Sequence, residues 1–192
     1  MTIQELFIAS NQALQKVVAQ VTPAQFSMPL TPGMSRKPTD LGDALRYHTY
    51  DDAWVPDVLA GKTKEEVGDV YESLLASGEA DVQPNYAQYS QRAIDAVREF
   101  SELDRPVHLS YGDFSAKEYL QHIVTFRAFR SYDIAKMIGI DTAMDPVLVQ
   151  ALLDEFIPLI DGYRQMGVFP PAIEVAADAE PQAKLLAMVG RS

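Results

Sequence analysis

His48 and Asp52 stand four residues apart in the segment DALRYHTYDDAW, residues 43–54. Leu41, Ala44, Leu45, Val55 and Leu59 mark the apolar arc of a helix there. At about 100° per residue both polar side chains fall inside that arc, one turn apart, where they can touch or share a ligand. An imidazole beside a carboxylate offers acid–base chemistry, a hydrogen-bonded pair or two metal ligands. A second anomaly lies in FRAFRSYDIAKMIG, residues 126–139, which reads as the end of an apolar helix. Arg127 and Arg130 fall on its core arc with Ile123, Ile134 and Met137, and Asp133 sits at the edge. Two readings stand for these arginines. Either their long stems run along apolar surface to water, or the guanidinium groups meet acidic partners in a polar pocket between helices. The second reading needs carboxylates, because an unpaired buried charge is costly. The arc carrying His48 and Asp52 can supply one.

The other two histidines add less. His108 lies in an extended segment and reads as surface, and His122 falls toward the polar side of its helix. A metal reading gathers His48, Asp52 and His122 at most, against four protein ligands in a structural zinc site and three in a catalytic one. The chain has no cysteine, which removes disulfides, thiolate ligands and a cysteine nucleophile.

Helices must position these groups. Thr2 with Glu5 forms a capping box that opens a helix to about Gln20, and Thr22-Pro23 starts a short turn. SMPLTPGMSRKPTD reads as loop. Asp40 caps a second helix that ends at Gly61, with Pro56 predicting a kink near Asp52. Thr63 with Glu66 opens a short helix. A third long helix is expected over 85–103, and a fourth from Ser115, boxed by Glu118, to Gly139. Asp145-Pro146 opens a fifth that Gly167 closes, with a kink at Pro158, and Glu180-Pro181 starts a last one ending near Gly190. Residues 106–111, PVHLSY, are extended, and PAIEVA, residues 171–176, is expected to pair with them. The pattern predicts an all-α protein: one domain over 1–192, a four-helix bundle with short extra helices and a small two-stranded piece.

The formal net charge of −11 argues against nucleic acid and membrane partners, since both present negative charge. No apolar run reaches the roughly 18 residues of a membrane span. The first ten residues lack the basic start of a signal peptide, so a cytoplasmic protein is expected. Tyr86, Tyr89 and Trp54 suit either core packing or a homodimer interface.

The helices, in this order, resemble the DinB-like superfamily, in particular the actinobacterial branch related to the N-terminal domain of mycothiol-dependent maleylpyruvate isomerase. The resemblance spans nearly the whole chain. It is carried by LTPG (30–33), DALRYHTYDDAW (43–54), FRSYDIAKMIG (129–139) and GVFPPAIEVAADAEPQAKLLAMVGR (167–191). It implies a four-helix bundle holding a divalent metal, zinc or nickel, with mycothiol as thiol cofactor, and thiol-dependent isomerase or transferase activity. His48 matches the family's metal-binding histidine. The two further ligand positions correspond to Phe126 and Arg130, and Asp133 matches the aspartate that follows. With one ligand of three kept, the resemblance implies a degenerate metal site. Arg130 then supplies the charge of the lost ion and pairs with Asp52 or with a small anionic ligand, bound among His48, Asp52, Phe126, Arg130 and Asp133. The alternative is a non-catalytic ligand-binding or structural bundle.

Overall fold

The computed structural model describes residues 1–30 and 39–192. The expected loop falls largely on 31–38, and with it most of the LTPG motif, outside the described residues. Among those described, the chain is all-α with one two-stranded antiparallel sheet, and it gathers into two compact units, Thr2–Asp141 and Thr142–Ser192.

In the first unit, α1 (Ile3–Val18) opens on the expected capping box: Glu5 N–H donates to the Thr2 hydroxyl, and Thr2 N–H donates to the Glu5 carboxylate. Its buried residues Ile3, Leu6, Phe7, Ser10, Asn11, Leu14 and Val18 recur at three- and four-residue steps. A 3-10 turn follows at Pro23–Gln25. The second helix, α2 (Leu41–Leu59), starts where the Asp40 carboxylate accepts from Asp43 N–H and continues through Pro56. Next comes α3 (Lys64–Val67), capped by Thr63 and Glu66. The next helix, α4 (Glu79–Glu99), begins six residues earlier than 85 and ends four before 103. Pro84 lies inside it, where the ring leaves the carbonyl of exposed Ala80 without a backbone donor, a loss that water at the surface makes good.

The strands β1 (Pro106–Leu109) and β2 (Gly112–Ser115) form a hairpin in which Val107 faces Phe114 and His108 faces Asp113. This corrects the expected pairing of 106–111 with PAIEVA, since 171–176 form no strand. Closing a two-residue turn at Ser110 and Tyr111 costs far less chain entropy than joining segments some sixty residues apart. The hairpin leads directly into α5 (Ala116–Ile138), boxed by Ser115 and Glu118 and stopped by Gly139 at φ 76°.

Helix α1 packs on α4 and α5, and α2 packs on α4. Leu14, Val18, Leu41, Leu45, Tyr86 and Ile134 form a common core there. The α2 and α5 backbones approach each other less closely, so long side chains must fill the seam between them. Tyr86 is core, Tyr89 stacks edge-on to Tyr71, and Trp54 stacks edge-on to Tyr50 and Tyr71. All three aromatics are thus engaged within the unit.

In the second unit, α6 (Pro146–Phe156) and α7 (Ile160–Gln165) are separate helices rather than one kinked helix. Pro158 denies the Asp154 carbonyl its donor, and the ladder breaks there. Phe156, Tyr163 and Phe169 meet edge-to-face. The last helix, α8 (Pro181–Met188), packs on α6.

Candidate functional site

Arg127 is fully enclosed, so its guanidinium does not reach water. Its Nε and Nη2 donate to the same Asp52 oxygen, Oδ1, at 3.1 and 2.8 Å. Its Nη1 donates to His48 Nδ1, and Nη2 also reaches the His48 carbonyl oxygen at 3.3 Å. The α2–α5 seam is therefore closed by one arginine from α5 against two residues one turn apart on α2. Asp52 is also fully buried, and its second oxygen, Oδ2, has no hydrogen-bond partner among the described residues.

The protonation states follow from this geometry. A nitrogen that accepts from a guanidinium carries no proton, so His48 is the neutral tautomer protonated at Nε2. Burial, then the charges of Arg127 and Arg130, push its pKa well below the usual histidine value. Burial works against the Arg127 charge, but Asp52 and Asp51 outweigh it and hold the guanidinium firmly protonated. Burial pushes the Asp52 carboxyl up, and the Arg127 charge and hydrogen bonds pull it back.

Asp51 is the second acid facing this arginine, with Oδ2 3.9 Å from Nη2. Burial, opposed by Arg127 and reinforced by Asp52, raises its pKa to about 6. Its side chain nevertheless keeps 49% of its surface open. It lines a pocket, and a hollow walled by protein solvates a charge less well than bulk water does.

That pocket has a volume of about 330 Å³, within the range of small-molecule sites. Helix α2 lines it with Tyr50, Asp51, Trp54 and Val58. Helix α5 contributes Tyr119, His122, Ile123 and Phe126 from the facing side. The hairpin brings His108 from β1 and Tyr111 from its turn, and exposed Lys64 comes from α3. The Tyr111 hydroxyl is 3.2 Å from His122 Nδ1, and Phe114 packs edge-on to the His122 ring at 4.9 Å. Burial lowers the His122 pKa, against the pull of Glu118.

The residues expected at the site fall in three places. His48 and Asp52 meet, as their spacing implied, but the arginine between them is Arg127, not Arg130. Arg130 is buried one turn further along α5, with Nη1 4.0 Å from Asp133 Oδ2, and its charge helps lower the His48 pKa. Phe126 is 51% exposed and opens to the pocket. His122 joins the aromatic wall rather than His48, and His108 is exposed, 2.8 Å from Asp113. Asp51 was missed, although it lies three residues after His48 and so on the same helical face.

This donor set does not fit the divalent metal that the resemblance implies. The one imidazole accepts from a cation, and a metal ion there would stand against two guanidinium charges. Among the described residues no group of three His, Asp or Glu side chains gathers as metal ligands. Nor is any helix among them long and apolar enough to cross a membrane. No protein-family model matches the sequence, and no curated protein matches it.

Proposed function

We propose that this protein is a small-molecule-binding helical bundle of DinB-like form. In this reading its functional part is the aromatic pocket between α2, α5 and the hairpin, and the buried Arg127–Asp52 pair stands where relatives of that form hold a metal. The single observation that supports it most is Asp51, an ionisable group with a displaced pKa placed on the wall of a hollow of small-molecule size between α2, α5 and the hairpin. The expectation of an anionic ligand rested on a guanidinium available to it. That guanidinium was Arg130's, which lies beside Asp133 and is not among the residues lining the pocket, while Arg127 is paired with Asp52 inside the seam. Binding without metal-thiol chemistry is what the donor set favours.

The test is a thermal-shift screen of wild type and Phe126→Ala against small amines, carboxylates and thiols. Phe126 is half exposed, so its truncation leaves the fold intact while opening the pocket wall. A compound that stabilises wild type and not the variant supports the reading. Uniform shifts in both proteins, or none in either, overturn it.

A further inference from the structure

We infer that the pocket takes an organic cation of the alkylammonium type, seated against the rings of Tyr50, Trp54, Tyr111, Tyr119 and Phe126 with Asp51 as its counter-ion. The inference rests on the reading of this pocket as a ligand site and adds the chemical class of the ligand.

Three observations carry it. The first is the wall. Five aromatic side chains from α2, α5 and the hairpin turn line one hollow. Aromatic faces carry negative potential, and rings arranged around a void are the general solution for holding a quaternary ammonium, which has no N–H to donate. The second is the charge balance of the floor. Asp52 and Arg127 cancel at 2.8 Å, and His48 is neutral because it accepts from Arg127. Asp51 stands 3.9 Å from that arginine, keeps half its surface open and lines the pocket, so one carboxylate is left on the wall of the void. Burial, and after it the field of Asp51, makes the hydroxyls of Tyr111 and Tyr119 harder to ionise. The third is the basic groups nearby, which do not reverse this sign. His122 is disfavoured as a cation by burial, His108 lies beside Asp113, and Lys64 is exposed. The whole chain, at −11, draws cations toward it.

Trp54 is the only tryptophan in the chain and lines the pocket, so its fluorescence reports occupancy directly. Wild type and Asp51→Asn would be titrated at pH about 8 with choline. Two controls of matching shape are its uncharged isostere, with tert-butyl in place of trimethylammonium, and the tert-butylacetate anion. The expected result is saturable binding of choline, with the isostere weaker by about ten-fold or more and the anion weaker still. Asp51→Asn is expected to weaken choline by about ten-fold or more and to leave the isostere unchanged. Asp51→Glu, which keeps the charge, is expected to retain choline binding. Equal affinity for choline and its isostere, tighter binding of the anion, or choline binding indifferent to Asp51→Asn overturns the cation inference while the pocket reading stands. No saturable response to any of the three, in fluorescence or calorimetry, overturns both.

Discussion

The Arg127 guanidinium gives two hydrogen bonds to one oxygen of Asp52, through Nε at 3.1 Å and Nη2 at 2.8 Å, and both side chains are fully buried. An ion pair of this kind is a poor source of net stability, because removing both charges from water costs about what their attraction returns. It is a strong source of dependence, since neither partner tolerates losing the other. Arg127→Met is therefore expected to lower the unfolding free energy by about 3–5 kcal/mol, since it strands the Asp52 charge. Arg127→Met combined with Asp52→Leu is expected to recover most of that loss, less about 1–3 kcal/mol for the His48 nitrogen left without its donor. Urea unfolding of the two single variants and the double variant checks this through the coupling energy. Additive effects would show that the pair does not act as a unit.

His48 gives the fold a defined acid sensitivity. Its folded-state pKa is depressed by burial, Arg127 and Arg130, whereas in the unfolded chain it takes a proton near 6.5. Asp52 and Asp51 face the same cluster, and the net direction for His48 is downward. Stability from the neutral imidazole is present above about 6.5 and is lost as pH falls below it, by up to about 1.4 kcal/mol per pH unit for one proton. His122, lowered by its own burial, adds in the same direction. In His48→Gln the slope of unfolding free energy against pH between about 5 and 6.5 is expected to be shallower by one proton. An unchanged slope would place the sensitivity elsewhere.

Asp51 works with the opposite sign. Its pKa is raised from 3.8 to about 6, so its ionised form is disfavoured in the folded state. Asp51→Asn is expected to raise the urea midpoint at pH about 8. The advantage shrinks as pH falls through about 6 and is gone below 3.8, where the carboxyl is protonated whether folded or unfolded. A midpoint that falls on substitution at pH about 8 would mean the carboxylate is stabilised, not strained, by its surroundings. The same strain suits a binding role, because an approaching cation relieves it.

Local signals carried most of the fold. The capping boxes at Thr2, Thr63 and Ser115 use partners three residues away, and Gly139 adopts its left-handed conformation for reasons internal to the helix end. Pro84 obscured the start of α4, because a proline six residues into a helix looks like a first turn. The hairpin was missed because Ser110-Tyr111 lacks the asparagine–glycine chemistry that marks tight two-residue turns.

The site was legible in kind and not in detail. A helical wheel gives the direction of a side chain but not its height along a neighbouring helix. Arg127 and Arg130 share one arc, and only the axial offset of α5 against α2 decides which of them meets Asp52. That offset depends on how α1 and α4 seat the two helices, through contacts distant in sequence. The pocket depends on it as well. Tyr50 and Trp54 on α2, and Tyr119, His122 and Phe126 on α5, form helical stripes, but a stripe does not say whether the facing stripe leaves a void.

The measurement that bears most directly on the central claim, that a buried ion pair occupies the seam in place of a metal, is the metal content of the protein purified from zinc- and nickel-supplemented medium, for wild type and His48→Ala. The account predicts far less than one ion per chain in both, and a wild-type melting temperature unmoved by a chelator. One zinc or nickel per wild-type chain, lost in His48→Ala, would contradict it.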